Sequence, residues 1–169
     1  NQGLAVAQHN LGRMYEQGRG VQRNYVYAMK WYRKAADQGL RDSQHALGLM
    51  YQNGIGVQKN ITSAVEWYQK AAEQGHVGAQ HNLGMIYIHG LGIPQDLIKA
   101  ASWFQKAAEQ GDTEAQNNLG ALYGSGKGVP LNYVQAMKWF LIADALGSRE
   151  AAGNFNATKR MGARDLAAG

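Results

Sequence analysis

The chain has 169 residues, 45% of them hydrophobic, a formal net charge of +5 and no cysteine. The lack of cysteine excludes disulfides and thiolate metal sites, and no apolar run approaches the roughly 20 residues of a membrane-spanning helix. Counting Lys and Arg against Asp and Glu, segments 4–39, 40–75, 76–111 and 112–147 carry +4, 0, 0 and −1, and the remainder +2. A nucleic-acid groove is basic along its length, so no nucleic-acid partner is expected.

Trp31, Trp67, Trp103 and Trp139 recur at intervals of 36 residues, as do Leu11, Leu47, Leu83 and Leu119. A fixed period in this range marks a stacked repeat array, in which each unit buries its apolar face against its neighbours. The expected architecture is a single array over residues 1–169: units 4–39, 40–75, 76–111 and 112–147, then a capping segment 148–169. The opening Asn1-Gln2-Gly3 matches the unit endings Asp37-Gln38-Gly39 and Glu73-Gln74-Gly75. The sequence therefore reads as a segment of a longer array, with any targeting signal elsewhere.

In chain order, Ala7, Leu11, Met14 and Tyr15 share one face of a helix predicted from about Ala5 to Gln17. Gly18 to Asn24 breaks that pattern with two glycines suited to a tight loop. Asn24 then caps a second helix, with Asn60, Asp96 and Asn132 in register. On it Ala28, Trp31, Tyr32 and Ala35 share a face, and Lys34, Lys70 and Lys106 suit its negative pole. Gly39 and its counterparts Gly75, Gly111 and Gly147 close it in left-handed geometry. Each unit is thus a helix–loop–helix hairpin, and the fold class is all-α. Gly12, Gly48, Gly84 and Gly120 sit inside the first helix, where glycine costs roughly 1 kcal/mol against alanine. The expected reason is close approach of alanines 28, 64, 100 and 136. Trp, with Tyr32, Tyr68, Phe104 or Phe140, would fill the space between hairpins. Ser148 is the expected N-cap of a terminal helix running from Arg149 to about Leu166.

The string Ala79-Gln-His-Asn-Leu83-Gly84-Met-Ile-Tyr87-x-x-Gly90-x-Gly92-Ile93, followed by Ala100-x-x-Trp103-Phe-x-Lys-Ala-Ala108-x-x-Gly111, resembles the Sel1-like repeat. The other three units match it, so the resemblance covers almost the whole chain. It implies a right-handed α-solenoid, similar to tetratricopeptide repeats, that serves as an adaptor for other proteins. Some cysteine-rich relatives are described as binding or hydrolysing β-lactams. This chain lacks their cysteines, and none of its serines begins a Ser-x-x-Lys motif.

His9, His45 and His81 occupy one register position, with Asn117 in the fourth unit. A metal ladder is disfavoured, because equivalent helices stack about 8–10 Å apart and one ion needs ligands at about 2 Å. By the tetratricopeptide analogy, the concave groove is lined by His9 and Arg13, His45 and Leu49, His81 and Met85, and Asn117 and Ala121. The next turn adds Glu16, Gln52, Ile88 and Gly124. These positions vary between units while the packing positions do not, so the stripe is expected to be free of packing constraint. Gly124-Ser-Gly-Lys127 lacks phosphate-loop spacing and is the fourth copy of the inter-helix loop. Of the two glycosylation sequons, Asn60-Ile-Thr62 coincides with an N-cap and Asn156-Ala-Thr158 has no further support. No catalytic residue, metal or cofactor is expected. The leading expectation is a non-enzymatic scaffold binding a protein or peptide in the concave face. A binder of β-lactams or cell-wall fragments with weak hydrolase activity is the alternative, and a spacer within a larger repeat protein the third. End-to-end self-association is also expected, through the uncovered face of the first helix.

Overall fold

The computed structural model describes residues 2–168. Asn1 and Gly169, the two ends of the expected array, lie outside the described residues, and so does the side chain of Leu166. Among the described residues nine helices follow in order: α1 (Gln2–Gln17), α2 (Tyr25–Asp37), α3 (Arg41–Asn53), α4 (Ile61–Glu73), α5 (Val77–His89), α6 (Leu97–Glu109), α7 (Thr113–Ser125), α8 (Tyr133–Ala145) and α9 (Arg149–Ala168). No strand occurs among the described residues. One compact unit ends at Leu83 and a second begins at Gly84, so α5 belongs to both.

The caps hold as the sequence predicts. Asn24, Asn60, Asp96 and Asn132 accept, through Oδ1, from the amides of Tyr27 (3.1 Å), Ser63 (3.0 Å), Lys99 (2.9 Å) and Gln135 (3.0 Å). Each bond satisfies an amide that the first helical turn leaves unpaired. In the loop between α3 and α4, Gly54 and Gly56 have φ of 72° and 69°. Gly56 has a second reason to be glycine, since a Cβ there would lie 2.7 Å from the carbonyl oxygen of Tyr25. In the second unit Gly128 meets the carbonyl of Leu97 in the same way. Bare loop backbone therefore abuts the start of the preceding repeat's second helix.

The glycines inside the first helices do allow close approach, but the partner is a ring and not an alanine. A Cβ on Gly12 would fall 2.7 Å from the Tyr32 ring, and one on Gly120 would fall 2.7 Å from Phe140. Gly48 and Gly84 face Tyr68 and Phe104 likewise. This corrects the placement of these aromatics between hairpins. Each is fully buried inside its own hairpin, because only a missing side chain leaves room for a flat ring between the two helices.

Trp67 joins the first two hairpins. Trp67 is buried with Ala28, Tyr32, Ala36, Leu47 and Met50, and Arg33 from α2 sets its guanidinium 4.5 Å from the Trp67 ring while donating to Tyr51 Oη at 2.8 Å. The lysines expected at the helix pole also cover indole faces: Lys34 over Trp31, Lys70 over Trp67 and Lys106 over Trp103, at 4.1–4.3 Å. The expected apolar face of α1 is only partly buried. Ala7 and Met14 are exposed, Met14 at 38% against 2% for its counterpart Met50, because α3 packs on α2 whereas no hairpin precedes α1 among the described residues. In the second unit Ala151 and Phe155 of α9 complete a cluster with Ala136, Phe140 and Ala143, and the Ser148 hydroxyl caps α9 by accepting from Ala151 N at 3.3 Å.

Candidate functional site

The stripe of the first helices is not free of packing constraint, and this corrects the sequence reading. His9 Nδ1 lies 2.8 Å from Ser43 Oγ on α3, and His45 Nε2 lies 3.2 Å from Asn82 Nδ2 on α5. Asn117 accepts from Asn154 Nδ2 at 2.9 Å and is only 8% exposed. One register position thus ties α1 to α3, α3 to α5 and α7 to α9. Glu16 and Gln52 turn inward: Tyr32 donates to Glu16 Oε2 at 2.5 Å and Tyr68 to Gln52 Oε1 at 2.6 Å. Where the ring is Phe104 or Phe140, the paired residue is Ile88 or Gly124, neither of which offers a side-chain acceptor.

What remains open is narrower. In the first unit Arg13 and Leu49 are exposed and His9 and His45 half-buried, and these four border a groove of about 280 Å³. Asp42, His76, Glu16 and Ile55 also line it. His76 was missed by the sequence reading because it occupies the N-cap register position. Its Nδ1 accepts from Ala79 N at 3.2 Å, while its ring stacks on His45 with centroids 4.2 Å apart. Burial lowers the pKa of His45 to about 4, with the neighbouring His76 lowering it further and Asp42 opposing. Burial also lowers His9 and His76, again against the opposing charge of Asp42. Near neutral pH the groove therefore presents uncharged imidazoles beside the Arg13 guanidinium, the carboxyl groups of Glu16 and Asp42, and the apolar side chains of Leu49 and Ile55.

In the second unit Met85 borders a groove of about 240 Å³ with Glu114, Asn117, Asn118 and Glu150, and Asn118 Nδ2 lies 3.7 Å from the Met85 sulfur. Ala121 is exposed; its carbonyl accepts from Ser125 Oγ at 2.8 Å. His81 and Ile88 are half-buried, and the carbonyl of Ile88 accepts from Gln95 Nε2 at 2.7 Å. Both grooves pair hydrogen-bonding groups with apolar side chains. Among the described residues no three His, Asp or Glu side chains are grouped to hold a metal ion, and no helix is long and apolar enough to cross a membrane.

The Sel1 repeat model matches residues 5–40, 41–76, 77–112 and 113–148. The structure is similar to that of a Sel1 repeat protein from Oxalobacter formigenes (TM-score 0.84, 38% identity, covering 87% of this chain and 60% of that one). It is also similar to a protective antigen of uropathogenic Escherichia coli with an SLR fold (TM-score 0.89, 36% identity, 95% of this chain and 34% of that one). A chitin synthase regulator of Saccharomyces cerevisiae is 58% identical over 36 residues, 21% of this chain and 5% of the regulator. The chain thus spans 60% or less of each of these relatives. Sel1 repeat proteins are generally non-enzymatic scaffolds that mediate protein interactions. With the repeat model covering nearly the whole sequence and the hairpins folded as an all-α solenoid, this chain belongs to the Sel1 repeat family.

Proposed function

We propose that the chain is a scaffold holding a protein or peptide segment along the stripe of its first helices. The observation that carries this reading is the groove of the first unit, where exposed Arg13 and Leu49 adjoin the half-buried imidazoles of His9 and His45. A peptide offers backbone carbonyls and amides at regular intervals. Neutral imidazoles can meet either, Arg13 can hold a carbonyl or carboxylate, and Leu49 supplies apolar contact. Met85 gives the second unit a comparable contact.

Selection of peptides from a displayed library against the intact chain tests the proposal. Arg13→Ala, Leu49→Ala or Met85→Ala should weaken a selected peptide at least about fivefold, equivalent to ~1 kcal/mol at a hot spot, with little change in melting temperature. Lys127→Ala, in the exposed loop between α7 and α8, should leave binding unchanged. If Lys127→Ala abolishes binding while the stripe variants bind normally, the loop edge is the functional surface and the stripe assignment fails.

A further inference from the structure

His76 holds the N-cap register position of α5, where α3, α7 and α9 have Leu40, Asp112 and Ser148. Leu40 makes no side-chain cap, whereas Asp112 accepts from Ala115 N at 2.7 Å and Ser148 from Ala151 N at 3.3 Å. His76 caps α5 with its ring, Nδ1 accepting from Ala79 N at 3.2 Å. A ring nitrogen that accepts an amide proton carries none of its own. This cap therefore exists only while the His76 ring is neutral.

The same ring is half of a pair. It stacks on His45 of α3, with planes 26° apart. Gly78 makes the room, since a Cβ there would lie 3.3 Å from His45 Nε2 and 3.4 Å from His76 Cε1. The first turns of α3, α7 and α9 carry Asp42, Glu114 and Glu150 at that register position, acids that suit a helix N-terminus. α5 forgoes the acid, and with it a carboxylate that would hold a proton on either imidazole. Around the pair stand Arg41 and Asp42 of α3, and His9, Arg13 and Glu16 of α1. From α4 the Tyr68 ring lies 5.7 Å from that of His45, and from α5 Asn82 Nδ2 lies 3.2 Å from His45 Nε2. Asp42 Oδ1 stands 3.8 Å from His76 Nε2, the ring nitrogen that the cap does not use.

We propose that His76 is a proton-operated latch on the groove of the first unit: a proton on Nδ1 frees the start of α5, parts the two imidazoles and releases a peptide held there. Nδ1 gains the proton and loses the Ala79 amide, and the imidazolium turns its Nε2–H toward Asp42. His45 and His76 both line the groove, so parting them alters its wall. Burial lowers the pKa of both rings. The latch is thereby shut at neutral pH and opens below the ordinary imidazole value of about 6.5. The ligand rests on the peptide reading of that groove; the cap and its proton do not.

NMR of the intact chain between pH 7.5 and 4.5 tests the latch by following the Ala79 amide and the His76 ring together. Both should shift with one midpoint, below about pH 6.5. His76→Ser, the residue in register at Ser148, keeps a cap and loses the proton site, so its Ala79 amide should hold still. His76→Asn, another strong N-cap residue, should behave alike. An Ala79 amide that moves as far in these variants, or that does not follow the His76 ring in the native chain, overturns the latch. The second arm uses a displayed-library peptide recovered on the intact chain at pH 7.5. Its affinity should fall about fivefold by pH 5, the scale of one lost helix cap, and less than about twofold in His76→Ser. Because linkage is reciprocal, saturating peptide should move the His76 midpoint to lower pH. Equal affinity at the two pH values in the native chain overturns control of the groove. If no peptide is recovered while Ala79 and His76 titrate together, the peptide reading of the groove fails and the proton-operated cap is supported.

Discussion

At the scale of single residues, the hydroxyl of Tyr68 and the amide oxygen of Gln52 form one unit with two parts. Tyr68→Phe removes the donor to Gln52 and should cost about 0.5–1.5 kcal/mol, the net worth of an ordinary hydrogen bond. Adding Gln52→Ile recreates the Ile88–Phe104 pair of the third repeat and should recover most of that loss. Urea unfolding of the two single variants and the double variant measures the coupling directly, and simple additivity would show that the two side chains act independently. This pairing was readable in the sequence, where Glu or Gln at positions 16 and 52 accompanies tyrosine 16 residues later and never phenylalanine. It went unused because the ring was placed between hairpins. Only the collision of a Cβ at Gly48 with the Tyr68 ring shows that the ring turns inward, and glycine itself carries no direction.

Elements were more legible than contacts. Caps and loops rest on local chemistry: the Asn24 side chain meets an amide three residues on, and Gly54 needs a positive φ wherever the hairpin packs. The stripe was harder, because whether His9 or His45 reaches solvent depends on the next helix, 34–37 residues away. Those histidines, on α1 and α3, make stability depend on pH. The folded pKa of His45 lies near 4, below an ordinary value of about 6.5, so the unfolded chain binds more protons between the two. Stability is therefore fully present above about pH 6.5, declines as pH falls through that window, and levels off for this group below about pH 4. The lowered pKa values of His9 and His76 act in the same sense. Denaturant midpoints at pH 7, 5.5 and 4 should follow that decline, and His45→Asn, the residue found in register at Asn117, should flatten it. An unchanged slope in His45→Asn would assign the pH dependence to other groups.

For the whole molecule, stability in a stacked array is a sum of repeat and neighbour terms, so its ends are the places to probe. Ending the chain at Gly147 would strip α9 from Ala136, Phe140 and Ala143. Losing the Ala151 and Phe155 contacts with that cluster forfeits about 2 kcal/mol of apolar burial, which for a chain of this size lowers Tm by roughly 4–8 °C. Thermal melts with a dye that reports exposed apolar surface check this, and an unshifted Tm would mean that α9 contributes nothing to the fourth repeat. Gly56 against the Tyr25 carbonyl, and Gly128 against that of Leu97, carry a different consequence. Each contact sets bare loop backbone against a helix carbonyl. A single methyl group there, standing off by about 1.5 Å, the length of a carbon–carbon bond, would act as a wedge driven into one edge of the stack. Neighbouring hairpins would splay on the loop side while remaining in contact on the other. The tilt between these neighbouring hairpins would thereby be adjustable from a loop position, without changing Arg13, Leu49 or Met85.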